Sequence, residues 1–256
     1  MTHRLRSERE RARRAYSQTF LKDRGALAQV VRAAQLSDPD LVLEIGAGEG
    51  DLTRALARTA RRVVAYEVDP DLVLTVPSNV VVKRQDFLTA HPPHRPFAVV
   101  GNIPYALTAR VVDWCLRAPE LTAATLVTQL EYARKRTGDY GRWSRLTVQT
   151  WPVYRWRLAG RIPRHKFRPV PTVDSGILRL ERRAEPLVPA ARLAEYRRFV
   201  ELGFSGVGGS LHASLRQRYP GRRLDGAFRA ARLDRSTVVG YVWPEQWLLV
   251  SGMRPP

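Results

Sequence analysis

The sequence predicts an α/β chain, in which a doubly wound, mostly parallel sheet of seven strands is followed by a small all-helical domain. Three observations carry that expectation. Short β-rich runs alternate with amphipathic segments between about residue 25 and residue 128. The first of these runs enters a glycine loop that opens directly into a helix. Beyond Pro186 and Pro189 the pattern becomes wholly helical.

Taken in order, Leu41–Ile45 reads as a buried strand, then come glycines and a helical run over 52–57. Residues 63–66, 80–82, 98–100 and 125–127 are the next four strands, with helical spacing at 111–116 between the last two. Two further apolar, β-prone stretches, 146–158 and 177–180, are placed as an antiparallel edge on that sheet. This sets one domain at 17–183. Residues 191–202, 210–218, 222–233 and 244–250 read as short helices of a second domain spanning 184–256. Residues 1–16 carry six arginines and almost nothing apolar, so they read as a basic arm that stays mobile until it meets a partner.

Composition narrows the function. The 256 residues hold 43 Lys and Arg against 24 Asp and Glu, a net charge of +19, with 44% hydrophobic residues. That is apolar enough for a folded core and basic enough to point to a polyanion, with nucleic acid ahead of an anionic membrane surface. One cysteine, Cys115, excludes an intrachain disulfide and a cysteine-based metal cluster, and fits a reduced, cytoplasmic setting. No stretch reaches the roughly 18 apolar residues of a membrane span, so a soluble protein is expected. Arg13-Arg14 precede Phe20-Leu21 as a twin-arginine export signal would, but Lys22, Asp23 and Arg24 interrupt its apolar core. His91 and His94 flank two prolines with no third ligand nearby, and no metal site is expected.

The loop Glu44-Ile45-Gly46-Ala47-Gly48-Glu49-Gly50 sits at the switch point where doubly wound sheets bind ligands. A dinucleotide fingerprint would want glycine at 51, where this chain has Asp51. Glu49 and Asp51 place negative charge where a pyrophosphate would dock. A nucleoside with a positive or zwitterionic end is the better match. Glu67 closes the second strand, 21 residues after Gly46, at the distance of a carboxylate that accepts ribose hydroxyls. Asp86 closes the third, and beside Phe87 it can accept from an adenine amino group while the ring packs the base. Glycine loop, strand-end Glu and strand-end Asp together read as a site for S-adenosyl-L-methionine.

The fourth strand runs into Gly101-Asn102-Ile103-Pro104-Tyr105. The lone pair of an exocyclic adenine amine is delocalised into the ring, so methylating it calls for acceptors that hold its two hydrogens. The Asn102 side-chain oxygen and a backbone carbonyl of the Asn-Ile-Pro turn can supply them, because proline fixes the backbone and leaves its carbonyl free. Tyr105 would stack on the base. No strong general base is needed, since the amine becomes acidic only after the methyl arrives.

These segments, with Ser17-Gln18-Thr19-Phe20-Leu21, the run Glu131 to Lys135 and the run from Phe167 to Ser175, resemble the ribosomal RNA adenine N6-methyltransferases, most closely the Erm family of macrolide, lincosamide and streptogramin B resistance. The resemblance covers roughly residues 15 to 185. It implies a Rossmann-like class I S-adenosylmethionine-dependent methyltransferase fold. It also implies Gln18 and Leu21 beside the cofactor, Gly46 at its methionine part, Glu67 on its ribose and Asp86 by its adenine, with Ala47, Gly48, Val68, Phe87 and Asn102 also among the cofactor-binding residues. Asn102, Ile103 and Pro104 would hold the target amine, with Tyr105 and Phe167 on the two faces of a flipped adenine. The family carries Asn where this chain has Thr19, and no contact is carried onto that residue.

Between Tyr132 and Arg168 lie eleven Lys or Arg and one acid, Asp139, interleaved with aromatics, a pattern suited to structured or single-stranded RNA. Arg134, Lys135, Arg136, Arg164 and Lys166 are the expected phosphate contacts; Trp151 and Tyr154 are as readily core residues as RNA contacts. The expected partner is 23S rRNA before full assembly of the large subunit, met by a monomer. Three other readings stand beside it: a dimethylase of the paired adenines of 16S rRNA, a non-catalytic RNA-binding or assembly factor, and, against the charge, a small-molecule methyltransferase.

Overall fold

The computed structural model describes residues 19–36, 40–72 and 74–253. The basic arm and Gln18 lie outside the described residues.

Seven strands form one sheet in the order β4-β3-β2-β5-β6-β9-β7. They are β2 (Leu41–Ile45), β3 (Arg62–Glu67), β4 (Val80–Arg84), β5 (Phe97–Asn102), β6 (Leu121–Gln129), β7 (Tyr154–Ile162) and β9 (Ser175–Arg182). The first five pair in parallel. The chain builds outward from β2 to β4, then returns to β5 on the other side of β2, so the switch point falls between β2 and β5, where the glycine loop was expected to bind. All five residues of β2 are buried, as a strand covered on both faces requires.

Helix α1 (Arg24–Ala34) starts where Asp23 accepts the Ala26 N–H at 2.9 Å. Ala26, Leu27, Val30 and Ala34 recur at helical spacing and form its buried face. Helix α2 (Asp51–Leu56) follows the glycine loop, and α3 (Thr108–Arg117) buries Val111, Val112, Trp114 and Cys115. Burial pushes the Cys115 thiol well above its ordinary range, so it packs as a small apolar residue. A separate antiparallel ladder joins β1 (Phe20–Leu21) to β8 (Phe167–Arg168), pairing Leu21 with Phe167. The sequence pattern gave no warning of it, because two-residue strands have no periodicity to read.

The chain divides into two compact units, one holding residues to Ala133 and Leu158–Leu180, the other Arg134–Arg157 and Glu181–Pro256. The boundary expected at 183 thus falls at 180, and the helical unit begins earlier than 184 by borrowing residues 134–157. The reason is local. Trp143 and Val148 are buried in the same apolar cluster as Tyr196, Phe199, Leu211 and Trp247, so the segment packs with the C-terminal helices. Those are α6 (Leu193–Gly203), α7 (Leu211–Arg216), α8 (Gly221–Ala230) and α9 (Pro244–Ser251), close to the four expected.

The β-prone stretch 146–158 needs correction. Its first half is helix α5 (Arg145–Thr150), capped by Ser144, and the strand begins only at Tyr154. Thr147, Val148 and Thr150 are β-branched, but burial at helical spacing behind a serine cap outweighs that propensity. Upstream, the run from Leu130 to Thr137 forms α4.

Candidate active site

Four strand ends converge on one cavity of about 400 Å³, within the usual size of small-molecule pockets. From β2 come Ile45, Gly46 and Gly48; from β3, Tyr66, Glu67 and Val68; from β4, Gln85, Asp86 and Phe87; and from β5, Asn102 and Pro104.

Gly46, Gly48 and Gly50 have φ of 70°, 56° and 81°, a left-handed backbone that side chains disfavour. The turn is pinned by the Gly46 and Ala47 N–H groups, which both donate to the Tyr66 carbonyl at 2.9 and 3.0 Å. Glu67 is buried, and its two oxygens accept from the backbone N–H of Gly48 at 2.7 Å and of Asp69 at 2.9 Å. Each oxygen keeps a further lone pair, so the carboxylate is held rigid at the cavity wall with acceptor capacity to spare. Asp86 is an N-cap as well as a wall residue: its Oδ1 accepts the Leu88 N–H at 2.9 Å at the head of a single 3-10 turn. The Phe87 ring beneath it is fixed against Tyr66 and Trp114.

Asn102 carries the most informative contact. Its Nδ2 donates to the Thr19 backbone carbonyl at 2.7 Å. An amide whose nitrogen is committed in this way keeps its oxygen as an acceptor. Because Thr19 contributes its backbone, threonine in place of asparagine leaves the contact intact. Thr19 and Phe20 also line the cavity, a role the sequence left unassigned. The Pro104 carbonyl was expected to be free, yet it accepts the Leu107 N–H at 2.9 Å, closing the next turn with one of its two lone pairs. Tyr105 is half-buried, with its hydroxyl 2.8 Å from Ser175 Oγ in a hydrogen bond. Burial and the nearby Asp174 carboxylate raise its pKa, and the phenol stays neutral.

Five of the expected residues do not line the cavity: Tyr105, held at Ser175, and four that are buried. Ala47 and Ile103 are buried under the loops that carry them. Leu21 and Phe167 are buried in one apolar cluster with Ile162 and Ile177, and Phe167 presents no open ring face to a base.

Two electrostatic features refine the reading. Glu49 and Asp51 were expected to repel a pyrophosphate, but Lys22 bridges both, at 2.7 Å from Asp51, and Arg54 holds Asp51 at 2.6 Å. Local neutralisation removes much of that repulsion, and the case for a nucleoside rests on Glu67 and Asp86 instead. Glu44, central in β2 and fully buried, was assigned no role of its own. Burial pushes its carboxyl up to about 8, with the Glu67 charge adding to the rise and Thr53 opposing it, so it is protonated at neutral pH.

The five expected phosphate contacts are distributed over both units. In the helical unit Arg134 pairs with Asp139 at 2.6 Å, Arg136 donates to Ser144 at 2.9 Å, and Lys135 is exposed. In the sheet unit Lys166 pairs with Asp23 at 2.8 Å, and the exposed Arg164 donates its backbone N–H to Asp174.

A mostly parallel sheet with a glycine loop, a strand-end glutamate and a strand-end aspartate around one cavity is the arrangement found in class I S-adenosylmethionine-dependent methyltransferases. Comparison with known proteins makes the assignment specific. Residues 9–253 match the family described as Ribosomal RNA adenine dimethylase. An rRNA adenine N-6-methyltransferase of Streptomyces fradiae is 59% identical over 248 residues, covering 94% of this chain and 78% of that protein. The mycinamicin-resistance protein MyrB of Micromonospora griseorubida is 36% identical, covering 87% of this chain and 72% of its own length. The crystal structure of the 23S rRNA methyltransferase ErmE superposes with a TM-score of 0.87 at 52% identity, covering 92% of this chain and 99% of that one. The chain belongs to this family of rRNA adenine N6-methyltransferases, within its Erm branch.

Proposed function

We propose that the enzyme methylates N6 of one flipped adenine in the peptidyl transferase loop of 23S rRNA, acting as a monomer on RNA not yet fully assembled into the large subunit. The modification would block macrolide, lincosamide and streptogramin B binding. The similarity to ErmE, a 23S rRNA methyltransferase, and to MyrB, a mycinamicin-resistance protein, supports this target and outcome.

The observation that carries the chemistry is the hydrogen bond from Asn102 Nδ2 to the Thr19 carbonyl, which commits the amide nitrogen and leaves Oδ1 as the acceptor of a cavity-lining side chain. When bound, S-adenosylmethionine supplies an electrophilic methyl group. The donor set fits it: a buried carboxylate fixed by two N–H groups for the ribose hydroxyls, an Asp beside a rigid aromatic ring for the adenine, and a glycine turn that leaves room for the methionine part. Asn102 Oδ1 and the remaining Pro104 lone pair each accept one amine hydrogen, which draws the nitrogen lone pair out of conjugation. Tyr105, kept neutral and anchored to Ser175, stacks on one face of the base. Phe167 supports this arrangement from the β1–β8 ladder. The exposed Lys135 and Arg164 meet the phosphates directly, and Arg134, Arg136 and Lys166 join them by exchanging their partners Asp139, Ser144 and Asp23 for the RNA backbone.

Expression of the wild-type enzyme in a macrolide-sensitive host should confer resistance, whereas Asn102→Ala should not, with a methyl-transfer rate at least about 100-fold lower. Resistance that persists in the Asn102→Ala strain would remove the catalytic reading.

A further inference from the structure

The helical unit exposes three large aromatic side chains, Tyr140 at 55%, Tyr241 at 46% and Trp243 at 55%. They come from two segments far apart in sequence, the turn between α4 and α5 and the turn that leads into α9. The two segments are tied together. The Trp143 backbone N–H donates to the Gly240 carbonyl at 2.7 Å, and the Arg142 guanidinium donates twice to the Tyr241 hydroxyl, at 2.6 and 2.9 Å. Arg142 also lies over the Tyr241 ring at 4.9 Å, and Arg134 over the Tyr140 ring at 5.1 Å. Below the surface the buried Trp143 braces Trp243, with ring centroids 5.5 Å apart.

We propose that Tyr241 and Trp243 form a stacking platform for unpaired nucleotides of the rRNA substrate, with Arg142 beside them to meet the backbone. The inference rests on rRNA being the substrate and assigns the helical unit a part in binding it. Exposed rings that are rigidly braced and flanked by guanidinium groups suit bases stacked along a phosphate chain. A protein-docking patch would instead extend over exposed aliphatic side chains; of the valines nearest these rings in sequence Val238 is exposed, Val239 half-buried and Val242 buried. Acids near these residues in sequence are few. Asp139 is already paired with Arg134, and Glu245 follows Trp243. Neither ring lies in the stretch 132–168 where the sequence had concentrated the RNA contacts, and of the aromatics in that stretch Trp143, Tyr154, Trp156 and Phe167 are core.

The test compares the wild-type enzyme with Trp243→Ala, Tyr241→Ala and Trp243→Phe. Affinity is measured for a protein-free rRNA hairpin with an unpaired loop and for a duplex of equal length, over a salt series, beside methyl-transfer kinetics on the hairpin. Each alanine variant should bind the hairpin about tenfold more weakly. Its KM should rise with kcat unchanged. Duplex affinity and salt slope should match the wild type, because no charge is lost. Trp243→Phe should recover most of the hairpin binding. The platform is overturned if the alanine variants bind the hairpin like the wild type, or if they lose hairpin and duplex binding equally together with a lower melting temperature, which would make the rings structural. It is also overturned, along with the functional reading, if the wild-type enzyme methylates no rRNA; a wild-type enzyme that does so while its variants bind normally removes the platform alone.

Discussion

At the scale of single residues, the site depends on polar groups whose orientation is set by backbone partners. Glu67 and Asn102 were both legible in the sequence from their strand-end positions. Their rigidity was not, because the N–H groups of Gly48 and Asp69 and the Thr19 carbonyl reach them only in the folded chain. Glu44 shows the opposite gap: it stood inside a recognised motif, but nothing in the sequence indicated that it would be buried and protonated. Its native pKa of about 8 lies above the ordinary 4.5. The unfolded chain therefore releases the proton between those values while the native chain keeps it, and stability falls as pH rises through that window. Glu44→Gln cannot titrate. The melting temperature of the variant relative to the wild type should rise steadily from pH 5 to pH 8 and level off above it. Two parallel curves would place the carboxyl in an ordinary ionised state.

At the scale of elements, the glycine loop and the β1–β8 ladder act together. A Cβ at Gly48 would lie 2.9 Å from the Phe20 ring, on a backbone already in the left-handed region. Gly48→Ala should destabilise the protein by about 1–2 kcal/mol from the backbone alone. By displacing Phe20 it should also weaken S-adenosylmethionine binding, about tenfold by calorimetry. Adding Phe20→Ala should restore part of the melting temperature, whereas an additive loss would mean that the two residues do not meet. The glycines of this loop were readable because their spacing follows directly from strand to helix. The Phe20 contact was hidden, since it brings together residues 28 apart through a two-residue strand. The helix at 145–150 was hidden for another reason: local β propensity and tertiary burial disagreed there, and burial decided.

At the scale of the whole molecule, a charge of +19 sets how the enzyme meets RNA. Composition made the polyanionic partner legible before any motif was recognised. It could not say which arginines are available, because several expected phosphate contacts hold partners within the protein, as Lys166 does with Asp23. If the basic surface neutralises six or more phosphates, rRNA affinity should fall by about a thousandfold between 50 and 200 mM salt. A flat salt dependence would assign binding to base contacts instead. Which base is methylated is read by transferring radiolabelled methyl from S-adenosylmethionine to protein-free 23S and 16S rRNA in parallel and locating the product by nuclease protection and mass spectrometry, which register one methyl group as readily as two. Label is expected in 23S rRNA alone, at a single adenine of the peptidyl transferase loop; label in 16S rRNA, or spread over many adenines, would refute that assignment.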